Sequence, residues 1–191
     1  MTQAIREKLK TGALDSQFLE ENYQQNKEVA ICYLEGNGIA LQYCTTELKG
    51  DYQVVLAAVS HNGFALEFAS TELKNNIDVV QAAISPYGLA LRYASESLKN
   101  NKELALIAVG NQGSALEFVS ESFKNDQEVV LAAYRTFSDS LKYMSQALQN
   151  NPDFIYSLVK KDKNLFYYAS KEMKECVSDM YVIKFVINVN I

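Results

Sequence analysis

The sequence predicts an all-α fold, a right-handed-type α-solenoid of six 25-residue helix-turn-helix repeats with N- and C-terminal caps. Two series of residues carry that prediction. Gly38, Gly63, Gly88 and Gly113 stand 25 residues apart, and Leu41, Leu66, Leu91, Leu116 and Leu141 keep the same step, with Phe166 completing the series. An aromatic column follows two residues later (Tyr43, Phe68, Tyr93, Phe118, Tyr143, Tyr168), then an apolar one (Leu48, Leu73, Leu98, Phe123, Leu148, Met173). The third observation is composition. With 48% hydrophobic residues, only 8 Gly and 2 Pro, the 191-residue chain can bury a core and has no linker-like stretch. The predicted layout is an N-terminal helical cap (1–25), six tandem repeats (26–175) and a C-terminal capping segment (176–191).

In the N-terminal cap, Ile5, Leu9, Leu14, Phe18, Leu19 and Tyr23 form an imperfect amphipathic lead-in. Each repeat then opens on Asn26, Asp51, Asn76, Asn101, Asp126 or Asn151, whose side chains can accept hydrogen bonds from the unpaired N–H groups of a helix start. Pro152, directly after Asn151, suits a first helical position. Two residues after each cap, five of six units place a carboxylate against the positive end of the helix dipole. The opening helix is expected to end at the thirteenth residue of the unit, where glycine would adopt a left-handed conformation.

A second helix carries Ala40, Leu41, Tyr43 and their equivalents, and the leucine and aromatic columns are expected to fill gaps between units. Small residues such as Ala57, Ala58, Ala82, Ala83, Ala132 and Ala133 mark where helices approach closely. A short turn capped by Thr45, Ser70, Ser95, Ser120, Ser145 or Ser170 closes the unit. The tail Ser178–Ile191 is rich in β-branched residues and reads as a docked helix or an extended strand, with the helix favoured.

The pattern GxALxxASxxLKNDxxVVxAAV resembles the tandem helical repeat of an uncharacterised domain-of-unknown-function family, found in effectors of intracellular bacteria and in some protist proteins. The resemblance implies architecture and an effector-like context. It brings no catalytic motif to any numbered position.

Acidic residues outnumber basic ones 23 to 18, and a formal charge of −5 opposes a phosphate backbone, so nucleic acid is not expected as a partner. No membrane span and no N-terminal signal peptide are expected, which points to a cytoplasmic protein, or to the host cytosol for a secreted effector. Cys32, Cys44 and Cys176 lack metal-ligand spacing, so neither a metal nor a cofactor is expected. His61 occupies a variable turn position, and with no base beside a nucleophile the chain reads as a non-enzyme. Lys49, Lys74, Lys99, Lys124 and Lys174 form a ladder expected to be solvated.

The candidate binding residues are Ile39, Phe64 and Leu89, which follow the glycines as an apolar strip, with Tyr87 and Phe137 as aromatic residues in turns. The expected partner is a protein or peptide. The alternative is a structural arm that positions an activity encoded elsewhere.

Overall fold

The computed structural model describes Glu7, Lys8 and residues 16–179. Ile5, Leu9 and Leu14 of the lead-in lie outside those residues, as does 180–191, most of the tail expected to dock as a helix. Every regular element among the described residues is helical. Helix Ser16–Asn22 precedes unit 1, and Tyr23 after it is buried, its ring stacked 4.3 Å from Tyr33.

Each of the six units has three helices rather than two. The opening α-helices are Lys27–Leu34, Tyr52–His61, Ile77–Ile84, Lys102–Asn111, Gln127–Thr136 and Pro152–Val159. The capping expected from the sequence is present in all six units. Asn26, Asp51, Asn76, Asn101, Asp126 and Asn151 each accept from backbone N–H groups two or three residues on.

The second helix is a 3₁₀-helix in every unit: Gly38–Tyr43, Gly63–Phe68, Gly88–Tyr93, Gly113–Glu117, Ser138–Tyr143 and Lys163–Tyr168. Three residues per turn aligns unit positions 13, 16 and 19 on one edge. In unit 2 these are Gly63, Leu66 and Ala69, all buried. A short α-helix then closes the unit: Thr46–Lys49, Thr71–Lys74, Glu96–Lys99, Glu121–Lys124, Gln146–Gln149 and Lys171–Asp179. The side chains of Thr45, Ser70, Ser95, Ser145 and Ser170 cap it, whereas Ser120 makes no such bond.

Units 1 to 5 stack in chain order, opening helix on opening helix and 3₁₀-helix on 3₁₀-helix, and one continuous apolar core runs through all six units. Leu41, Leu66, Leu91, Leu116 and Leu141 are fully buried in it. A backbone ladder ties neighbours together: the N–H groups of Ser70, Ser95, Ser120, Ser145 and Ser170 donate to Lys49, Lys74, Lys99, Lys124 and Gln149 of the unit before. Polar bonds reinforce it, since the hydroxyls of Ser95, Ser120 and Ser145 donate to Asn75, Asn100 and Asn125 at 2.6–2.8 Å.

The glycines of position 13 have a different role from the left-handed cap expected of them. None of the described glycines has a φ in the left-handed region. The constraint is packing against the next unit: a Cβ on Gly38, Gly63, Gly88 or Gly113 would lie 2.2–2.3 Å from the carbonyl oxygen of Ala58, Ala83, Ala108 or Ala133. Glycine in one unit is therefore paired with alanine at position 8 of the next. Both change together at the last interface, where Ser138 is exposed and position 8 of unit 6 is Leu158.

The choice between Asp and Asn caps also follows a neighbour. Asp51 and Asp126 come one unit after Lys27 and Lys102, whose ammonium groups reach them at 2.7 and 2.8 Å. The Lys102 ammonium, followed by the N–H groups of Val129 and Glu128, holds the Asp126 carboxyl below the ordinary carboxylate range.

Candidate binding face

The 3₁₀-helices of units 1 to 5 pack side by side as a row. Because three residues complete a turn, positions 14 and 17 share one edge of each 3₁₀-helix, and position 18 lies on the next edge with the buried position 15. Lys142 (position 17) accordingly pairs with Asp139 (position 14) at 3.3 Å. Position 18 is the aromatic column, expected to fill gaps between units; Phe68, Tyr93, Tyr143 and Tyr168 do pack against the core, but from its margin. Tyr43 is 61% exposed, and Phe68, Tyr93, Phe118, Tyr143 and Tyr168 are half-buried, their edges forming a ridge along the stack. Tyrosine at four of the six positions fits such a site, with the ring body on the core and the hydroxyl toward water.

Position 17 varies more than any core column: Gln42, Glu67, Arg92, Glu117, Lys142, Tyr167. These side chains lie among the rings. The Arg92 guanidinium carbon is 5.2 Å from the Tyr93 ring centroid and 5.3 Å from that of Phe118 in the next unit. Lys142 lies 5.0 Å from the Tyr143 ring. Burial, and then a hydrogen bond to the Glu67 carboxylate, raises the pKa of the Tyr93 hydroxyl. The Tyr168 hydroxyl donates to Asp139 at 2.6 Å across the last interface, and that bond, with burial, pushes its pKa up to about 12.

The residues singled out from sequence are divided by the structure. Ile39, Phe64 and Leu89 occupy position 14 on three successive 3₁₀-helices, all half-buried, with Leu89 packed on the core. Tyr87 is brought to Phe64, the rings tilted at 5.6 Å, so part of the strip covers itself. Phe137 is 43% exposed but sits beside Gly113, two units further along. The strip ends at unit 3, since position 14 continues as Ser114, Asp139 and Asn164.

Other sequence-selected residues are occupied structurally. The lysine ladder is folded back: Lys49 and Lys174 donate to the carbonyls of Gln42 and Tyr167 in the 3₁₀-helix before, and Lys99 and Lys124 pair with Glu96 and Glu121. His61 is exposed, and its Nδ1 accepts from the N–H of Gly38 in unit 1 at 3.1 Å. Asn111 and Thr136, at the same unit position, donate to carbonyls of the preceding opening helix. Cys44 is buried, which raises its thiol pKa to about 11.

An open groove of about 610 Å³ between the opening helices of units 1 and 2 is lined by Ile31, Leu56 and Ala57 and by the polar Glu35, Gln53 and Ser60. Among the described residues no cluster of three His, Cys, Asp or Glu side chains could hold a metal ion, and no helix is long and apolar enough to cross a membrane.

The ridge was hidden in the sequence because a recurring aromatic suggests a core position. The available signal was the neighbouring column, whose mixture of Gln, Glu, Arg, Lys and Tyr suits solvent and lies one residue from the rings. Comparison with curated proteins and with solved structures finds no match. The description of a domain of unknown function (DUF4116) matches the chain over residues 51–99, 87–124, 101–149 and 126–174, overlapping stretches of the tandem repeat that together span more than half of it. The chain therefore belongs to the family of this domain of unknown function.

Proposed function

We propose that this chain is a non-catalytic helical-repeat scaffold that binds a protein or peptide along its row of 3₁₀-helices, in the cytosol of its own cell or of a host. The observation that carries the reading is the ridge. Aromatic residues, Tyr43 exposed and the other five half-buried, recur at one position in each unit, next to the edge that carries Ile39, Phe64 and Leu89. Rigid aromatic rings supply contact area at little entropic cost, and an extended ligand can meet equivalent groups unit after unit. A second reading, a structural arm that positions an activity encoded elsewhere, draws on the single uninterrupted core, which couples the described units end to end.

Peptide-display selection against the full chain tests the proposal, with enriched peptides re-assayed on a Tyr43→Ser, Phe64→Ser variant whose helicity is checked by circular dichroism. Peptides that bind the intact chain and lose the variant support the ridge. Selection that enriches nothing, or peptides indifferent to the substitutions, favours the structural arm.

A further inference from the structure

The alternation of charge along position 17 distinguishes one interval of the ridge from the next. Between units 3 and 4 the gap between the Tyr93 and Phe118 rings is filled from within by the Arg92 guanidinium. One interval earlier, the residue at the same position is Glu67, an exposed carboxylate next to Phe68 in sequence and near the Tyr93 hydroxyl. Glu117 occupies the same position two units on, exposed and next to Phe118 in sequence. Among the described residues neither glutamate is in a salt bridge, and the chain as a whole carries a charge of −5.

We propose that the intervals at Glu67 and Glu117 are receptor slots for arginine side chains of a basic, extended peptide, each taking a guanidinium between two aromatic rings as Arg92 does. The inference rests on the scaffold reading and names its partner's chemistry. Three physical points support it. A guanidinium is planar and weakly hydrated, so it stacks on rings where an ammonium stays with water. The rings on either side of Arg92 show that the spacing of successive units admits one. At Glu67 the slot adds an exposed carboxylate, whose oxygens can accept guanidinium N–H groups.

The slots also set a spacing. With neighbouring helices about 8–10 Å apart, two units span roughly 16–20 Å. An extended chain rising about 3.3 Å per residue covers that in five or six residues. The probe is therefore a dye-labelled Gly/Ser peptide with two arginines six positions apart, alongside the same peptide with lysines and an all-Gly/Ser control. Each is titrated against the full chain by fluorescence anisotropy at low salt and at about 0.15 M.

The arginine peptide is expected to bind more tightly than the lysine peptide, and both more tightly than the control. Glu67→Gln should weaken the arginine peptide about fivefold, the loss of one exposed ion pair reinforced by a ring face. Glu67→Gln with Glu117→Gln should bring it near the control. Glu103→Gln, on an opening helix, removes the same charge away from the ridge and should leave binding unchanged. Circular dichroism on each variant verifies folding. The proposal is overturned if the arginine peptide binds no better than Gly/Ser, if Glu67→Gln binds it as well as the intact chain, or if Glu103→Gln weakens it equally. Should the arginine peptide fail while display still yields peptides lost by the Tyr43→Ser, Phe64→Ser variant, the scaffold stands and the arginine assignment falls; failure of both removes the scaffold as well.

Discussion

Replacing Gly88 by alanine puts two opposing effects in competition. The backbone there is outside the left-handed region, so a methyl group is conformationally allowed. Stiffening the unfolded chain would then stabilise the protein by about 0.4–1 kcal/mol. The tertiary structure opposes this, because the new Cβ would lie 2.3 Å from the Ala108 carbonyl oxygen and 3.1 Å from Gln112 Cβ. Ordinary contact begins near 3.4 Å, so units 3 and 4 would have to separate by about an ångström at a buried backbone contact. Overpacking of this kind costs about 1–3 kcal/mol, which exceeds the entropic gain. Gly88→Ala should therefore destabilise.

Gly110 is the internal control. It lies in the opening helix Lys102–Asn111, and a Cβ there meets nothing within 4 Å. Gly110→Ala should stabilise by roughly 0.5–1 kcal/mol. Urea melts followed by circular dichroism would show the two alanine variants moving the midpoint in opposite directions. If Gly88→Ala proves neutral or stabilising like Gly110→Ala, close approach does not explain the glycine column.

Three further outcomes are expected. Leu91→Ala, at a fully buried site, should cost about 2–5 kcal/mol in the same melts; a loss below about 1 kcal/mol would mean that the core face is misassigned. Asp126 has its folded pKa lowered, first by Lys102, so its contribution is present above the ordinary carboxylate pKa and fades as pH falls through the folded value. Lys102→Ala should raise the NMR-titrated pKa of Asp126 and shrink the stability lost between the ordinary carboxylate pKa and the folded value, while an unmoved titration would remove Lys102 as the cause. Cys32 is partly exposed and Cys44 is buried with its thiol pKa raised to about 11, so iodoacetamide near neutral pH should modify Cys32 before Cys44, as peptide mass spectrometry would report. Equal rates would contradict the burial of Cys44.

The 25-residue period, the helix starts at Asn26, Asp51, Asn76, Asn101, Asp126 and Asn151, and the core leucines were legible in the sequence, because caps and buried positions depend on contacts that recur identically in each unit. The candidate site was legible only in part. Ile39, Phe64 and Leu89 do share one edge of their 3₁₀-helices, but the partial exposure of the aromatic column was not foreseen. The reason is angular: three residues per turn and 3.6 per turn rotate positions 14 to 18 onto different sides, and spacing over six residues does not separate the two. The glycine column had a local and a tertiary explanation equally consistent with the sequence, and only the distance to Ala58, Ala83, Ala108 and Ala133 decided between them. The repeat thus followed from chemistry within each unit, whereas which column faces solvent, and why glycine recurs, were decided by how closely one unit packs against the next.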